Sequence, residues 1–226
     1  LPGTATVAVV KAALAERLGI PVNTQRLLLG AEIADDASVV SALPSPRETQ
    51  LVQLPVDPDA SKELLLAVFN DGGVDRVDGL LRRCADADVA FSDDGSTALL
   101  MAAHRGRLGV VNALLAGGAD VCKENDTGES PLAVAAEHGH GAVVRRLCEA
   151  RADGRAVSWS GTSLVFYAAQ NGYSEVVECL VEYGASLLQG GCGGATPLMI
   201  AAQEGHLDVV GRLLGHRADP ALARPA

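Results

Sequence analysis

The residues best equipped for chemistry lie between Gly128 and Asp153, in a stretch that reads GESPLAVAAEHGHGAVVRRLCEARAD. It contains His138, His140 and Cys148, which are side-chain types that bind zinc or take part in nucleophilic catalysis. Their spacing matches no zinc pattern, and the sequence contains no Ser-His-Asp grouping or nucleophile elbow. The GGCGG stretch around Cys192 lacks the lysine that follows in a phosphate-binding loop. We therefore expect no catalytic residue, metal ligand or cofactor in this chain.

The stretch is one copy of a pattern that recurs every 33 residues. Four copies share a turn glycine, an alanine pair, a second glycine, a valine pair and a leucine, and such agreement indicates an internal repeat. The positions, in that order, are Gly95, Gly128, Gly161 and Gly194; Ala102-Ala103, Ala135-Ala136, Ala168-Ala169 and Ala201-Ala202; Gly106, Gly139, Gly172 and Gly205; Val110-Val111, Val143-Val144, Val176-Val177 and Val209-Val210; and Leu114, Leu147, Leu180 and Leu213.

The residue pattern of each repeat predicts two short helices joined by a turn. A Thr or Ser two residues after the turn glycine can cap a helix N-terminus, and Pro131 and Pro197 follow it at the first helical position, where proline is tolerated. The small alanine pair allows close helix packing, and the second glycine ends the first helix. Val-Val followed by Leu at helical spacing gives the second helix a buried face. The pattern predicts a row of stacked helical hairpins.

This unit resembles the ankyrin repeat, and TPLMIAAQEGHLDVVGRLLGHRAD, at positions 196–219, is close to the family pattern. The resemblance implies a mainly α fold, a helical solenoid of repeats at 94–126, 127–159, 160–192 and 193–226. A degenerate copy at 63–93, whose phase slips by one residue, is typical of a terminal repeat.

The copies depart from the family pattern at two positions. The family histidine after T-P-L is replaced by Leu100, Ala133, Phe166 and Met199, so we expect apolar contacts in its place. Arg151 and Arg217 occupy the position of Gly118 and Gly184. If the backbone at that position is left-handed, each arginine destabilises the fold by roughly 1 kcal/mol relative to glycine.

Residues 1–57 have a different character. TVAVVKAALAERLGIP predicts a helix, and short strand-like runs follow at Arg26–Leu29 and Gln50–Leu54, which together indicate an α+β segment. The segment resembles a ubiquitin-like (β-grasp) domain that lacks the first β-hairpin. The resemblance implies an apolar patch that includes Leu28 and Leu54, although both could equally be core or scattered surface leucines. We expect a linker at 58–62 before the repeats.

The composition restricts the classes of partner. Eighteen basic and 28 acidic residues give a net charge of −10, which argues against nucleic-acid and anionic membrane binding. No apolar run approaches the length of a membrane helix. The five widely spaced cysteines contain no C-x-x-C pair, so we expect reduced thiols in a cytoplasmic protein. We further expect a monomer.

The residues that repeat stacking leaves exposed are the candidate binding residues. By resemblance to the family, the concave face comprises the ends of the first helices and the loop fingers, which include Lys123–Asp126, Ser158–Ser160 and Gly190–Gly193. Trp159 replaces the Asp93, Asp126 or Cys192 of the other copies and is the candidate hot spot, with packing over Phe166 or Tyr167 as the equal alternative. The predicted partner-binding residues are Trp159, Tyr167, Gln170, Asn171, His104, Arg105, Glu137, His138, Gln203 and Glu204.

These features predict a non-enzymatic scaffold or adaptor that binds a partner protein through the concave face and the loop fingers. The first alternative is an adaptor in ubiquitin or proteasome pathways, which would act through Leu28 and Leu54. The second is a regulatory region of a larger enzyme.

Overall fold

A computed structural model describes the backbone of 25–29, 32–33 and 49–53, and residues 56–91, 93–154, 156–158, 161–190, 194–216 and 218. The first part contains three strands, β1 (Gln25–Leu29), β2 (Glu32–Ile33) and β3 (Thr49–Gln53). They form an antiparallel sheet of order β2-β1-β3, with Leu27 opposite Leu51. Strands therefore form at both strand-like runs, while Leu54 and the helix predicted before them lie outside the described residues.

Ten helices follow in the described part of the chain, arranged as five hairpins. The first helix of each hairpin is α1 (Pro58–Phe69), α3 (Ala98–His104), α5 (Pro131–Glu137), α7 (Leu164–Gln170) or α9 (Pro197–Gln203). The second helix is α2 (Val74–Arg82), α4 (Leu108–Ala116), α6 (Gly141–Glu149), α8 (Ser174–Glu182) or α10 (Leu207–Gly215).

The hairpins stack in sequence order. Each first helix packs on the first helix of the next hairpin, and each second helix packs on the next second helix. The alanine pairs of α3, α5 and α7 are buried between neighbouring helices, as are the repeated leucines and all the repeated valines except the half-buried Val210. These residues belong to one continuous core. The fold is therefore the mainly helical solenoid that the repeat predicts.

The helix starts follow from local hydrogen bonding. The hydroxyl oxygens of Thr97, Ser130 and Thr196 accept hydrogen bonds from backbone amides of the first turn, as predicted. The prediction that Ser163 caps α7 in the same way is wrong, because its side chain accepts no capping hydrogen bond. Asp57 accepts hydrogen bonds from the amides of residues 59 and 60. The expected linker at 58–62 therefore forms the first turn of α1.

The position after the second helix has left-handed backbone geometry. Gly118, Arg151 and Gly184 have φ angles of 92°, 74° and 89°, which confirms the prediction for Arg151. Cys84 takes the same geometry at 62°, in the copy whose phase slips by one residue. Arg217 lies outside the described residues. Arg151 therefore has a strained left-handed backbone conformation, which glycine adopts at lower energy.

Candidate functional site

The predicted helix-end residues form a row along the stack. Because α3, α5, α7 and α9 pack side by side, their C-terminal ends lie next to one another. All of these residues are exposed except Glu137, which is half-buried. We call this set the helix-end row; its members are His104, Arg105, Glu137, His138, Gln170, Asn171, Gln203 and Glu204.

Arg105 has a structural role in addition to its place in the row. One guanidinium nitrogen donates hydrogen bonds to the carbonyls of Val68 and Phe69 and to Asp71 Oδ1. The guanidinium carbon also lies 5.2 Å from the centre of the Phe69 ring. Arg107 donates to the Val68 carbonyl and forms an ion pair with Asp71. Both arginines therefore satisfy carbonyls at the C-terminal end of α1, where a positive charge is favourable.

One repeat position makes contacts between successive hairpins. It is occupied by Arg107, His140, Tyr173 and His206. His140 Nε2 donates a hydrogen bond of 2.9 Å to the His104 carbonyl, and His206 Nε2 makes the same contact with the Gln170 carbonyl. Side chains at this position are half-buried and contact the preceding hairpin. Its side chains differ in chemistry, but each reaches back to the preceding hairpin.

The glycine turns receive these side chains. A Cβ atom placed on Gly106 would lie 2.5 Å from the His140 ring, and one on Gly139 would lie 2.8 Å from the Tyr173 ring. Both glycines also have positive φ angles, of 67° and 75°. Glycine is required here for two reasons, the backbone geometry and the close approach of a ring from the next repeat.

Histidines cluster within the helix-end row. The rings of His104 and His138 lie 4.2 Å apart, and His138 Nδ1 donates a hydrogen bond of 2.9 Å to the Val134 carbonyl. Burial, together with the nearby His138, lowers the pKa of His104. Within the described residues, no group of three or more His, Cys, Asp and Glu side chains is placed to hold a metal ion.

Glu137 carries a carboxyl group that is partly removed from solvent. Its Oε1 atom is buried and has no hydrogen-bond partner among the described residues. Burial raises the pKa of this carboxyl, and the nearby Glu129 raises it further. The surroundings of Glu137 therefore favour the protonated form of its carboxyl more than solvent does.

The remaining predicted binding residues are only partly described. Tyr167 is half-buried, and its carbonyl accepts a hydrogen bond of 2.9 Å from Asn171 Nδ2. Trp159 and Cys192 lie outside the described residues.

A groove opens beside the first members of the helix-end row, and the sequence interpretation missed it. Its volume is about 610 Å³. The floor consists of Phe69, Phe91, Leu100 and Met101, and the rim includes Asp93, Asp94, Ser96, His104, Arg105, Asn125 and Glu129. The available signal was the occurrence of Phe69 and Phe91 in a chain whose aromatic content is only 3%.

Polar side chains link the second helices of neighbouring hairpins. Arg145 donates a hydrogen bond of 2.9 Å to Glu182, and Arg146 donates one of 2.8 Å to Asn112. Arg212 likewise donates to Glu178. These pairs join α4 to α6, α6 to α8 and α8 to α10. Polar side chains of the second helices therefore stabilise contacts between neighbouring repeats.

Four cysteines lie in the described part of the chain. Cys84, Cys148 and Cys179 are buried, Cys122 is exposed, and these four form no disulfide. A hydrogen bond with Cys179 raises the pKa of Cys148, and the same contact lowers the pKa of Cys179. These two thiols consequently pack against each other across the α6–α8 contact.

Comparison with known proteins identifies the repeat. A family model described as "Ankyrin repeats (3 copies)" matches residues 64–158 and 154–223. None of the curated proteins compared with the chain matches it. None of the described helices is both long and apolar enough to cross a membrane.

Proposed function

The chain belongs to the ankyrin-repeat family, and from this premise we propose that it is a scaffold or adaptor that binds a partner protein through its helix-end row and loop fingers. Ankyrin repeats are generally protein–protein interaction modules. The observation that carries the proposal is the helix-end row itself. All its polar side chains except that of Glu137 stand exposed at the ends of successive stacked helices, where one partner could contact several repeats at once.

The loop fingers extend this surface. Asp126 N donates a hydrogen bond of 3.0 Å to the Asp94 carbonyl, so neighbouring fingers are held together by their backbones. Trp159 belongs to the same series of finger positions by its place in the repeat. A large aromatic side chain at such a position is a common source of binding energy. We therefore include Trp159, Tyr167 and the helix-end row in the proposed binding surface.

We expect Trp159→Ala and Gln170→Ala each to weaken partner binding by at least about 1–2 kcal/mol, because hot spots concentrate binding energy in few side chains. The partner is isolated by affinity capture on the whole chain, and its affinity for each variant is measured by calorimetry. Glu149→Ala, which removes an exposed side chain from α6, is the matched control and should leave the affinity unchanged.

The melting temperatures of the variants complete this test. Unchanged melting temperatures with weakened binding support a direct contact. If Trp159→Ala lowers stability and affinity together, the tryptophan packs locally and is not a hot spot. If none of the row or finger variants changes the affinity, the proposed surface is wrong.

A second candidate is an adaptor role for the first part of the chain in ubiquitin or proteasome pathways. The observation that favours it is the antiparallel pairing of β1 with β3, since Leu28 lies on one of these strands. The same capture experiment separates the two candidates. Loss of the partner on Leu28→Ala or Leu54→Ala, with binding retained in the helix-end variants, would support the second candidate.

A further inference from the structure

The groove beside α1 and α3 combines an apolar floor with an acidic rim. Phe69 is 52% exposed although it is a large aromatic residue, and it meets Phe91 edge-on with ring centres 6.2 Å apart. Leu100 and Met101 complete the floor. A volume of about 610 Å³ falls within the range of specific ligand pockets, roughly 300–1,000 Å³. The groove therefore has room for a few side chains of a partner.

Two rim carboxylates are held in place by neutral donors. Asp94 accepts hydrogen bonds of 2.9 Å from the Ser96 amide and 2.7 Å from the Ser96 hydroxyl. Glu129 Oε2 accepts hydrogen bonds of 2.8 Å from Asn125 Nδ2 and 3.1 Å from Thr127 Oγ1. Neutral donors fix the position of a carboxylate without cancelling its charge. In the described part of the chain, neither carboxylate forms an ion pair with a basic side chain.

The basic groups of the lining do not balance these acids. Arg105 is bound to Asp71 and to carbonyls at the end of α1. His104 has a lowered pKa, so it carries little positive charge at pH 7. Asp94 and Glu129 consequently leave a net negative charge beside the apolar floor.

We propose that this groove binds a short segment of the partner protein in which an arginine or lysine lies next to a large apolar side chain. The cation pairs with Asp94 and Glu129, while the apolar side chain covers Phe69, Phe91 and Met101. Arginine suits the site best because its planar group can form paired hydrogen bonds with carboxylates and stack on aromatic rings. This inference rests on the proposed function and specifies the chemistry of the partner.

The test begins with a random dodecapeptide library displayed on phage and selected on the whole chain. We expect the enriched peptides to pair Arg or Lys with Leu, Met or an aromatic residue. Synthetic copies should lose at least tenfold in affinity for the Asp94→Asn/Glu129→Gln variant, which preserves side-chain size while removing two charges. The matched control, Glu149→Gln/Asp208→Asn, removes the same charge from the second helices and should change the affinity less than twofold.

A second measurement does not depend on how the variants fold. Replacing the peptide arginine by citrulline, which is neutral and of nearly the same shape, should weaken binding to the unaltered chain at least tenfold. Amide resonances of Ser96, Met101 and Glu129 should shift on titration with the arginine peptide. A citrulline peptide that binds as well as the arginine peptide would overturn the proposal.

The remaining outcomes separate this inference from the proposed function. Enriched peptides without a basic residue, or peptides that shift Gln170 and Gln203 instead, would overturn the groove while leaving the repeats as a binding module. The same conclusion follows if no peptide is enriched and the captured partner binds the Asp94→Asn/Glu129→Gln variant normally. If helix-end and finger variants also leave partner binding unchanged, both proposals fail.

Discussion

Replacement of Leu147 by alanine should lower the free energy of unfolding by about 2–5 kcal/mol, the range for buried leucines. Leu147 lies in α6, is 0% exposed, and belongs to the continuous core. Helix α6 packs on both α4 and α8, so a cavity there weakens contacts with two neighbouring hairpins. A solenoid has no other route for holding its repeats together, because each repeat contacts only its neighbours.

Urea denaturation followed by circular dichroism measures this change. Leu207→Ala is the matched control, since Leu207 is 80% exposed and its truncation should cost no more than about 0.5 kcal/mol. Equal effects at Leu147 and Leu207 would contradict the core described here.

Replacement of Gly139 by alanine should lower the free energy of unfolding by about 2–4 kcal/mol, whereas Gly205→Ala should lower it by only about 1–2 kcal/mol. The two glycines have nearly equal φ angles, of 75° and 78°, so the backbone strain is shared. A Cβ atom on Gly139 would lie 2.8 Å from the Tyr173 ring, while one on Gly205 meets nothing within 4 Å. The difference between the two variants therefore isolates the contact between successive repeats.

Thermal and urea unfolding of both variants provides the measurement, and Tyr173→Ala provides the control. Removal of the ring should abolish the additional cost of Gly139→Ala, so the double variant should lose less stability than the sum of the single variants. Additive effects would mean that Tyr173 does not occupy the turn at Gly139.

Much of the fold could be predicted because one repeat unit is dictated by local chemistry. Ser130 followed by Pro131 marks a helix start, and the valine pair with Leu147 marks a buried helical face. The left-handed Arg151 could be predicted because Gly118 and Gly184 occupy the same position. Ser163 was predicted wrongly, since a residue type at the right place does not guarantee that its hydroxyl turns toward the amide.

The contacts between repeats could not be predicted in the same way. Alignment shows Arg107, His140, Tyr173 and His206 as unlike residues, and only the stack shows that each reaches back to the preceding hairpin. The groove could not be predicted for a related reason, since it depends on contacts between residues that are distant in the sequence. Phe69 ends α1 and Phe91 lies in the loop before α3, so their contact depends on the packing of α1 on α3.

Hydrogen exchange of the whole chain, measured with and without its captured partner, tests the central claim most directly. The account predicts slower exchange in the finger at 93–97 and at the first-helix ends, including 104–105, 137–138 and 170–171. Unchanged exchange at those positions, with protection confined to the second helices α2, α4, α6, α8 and α10, would contradict it.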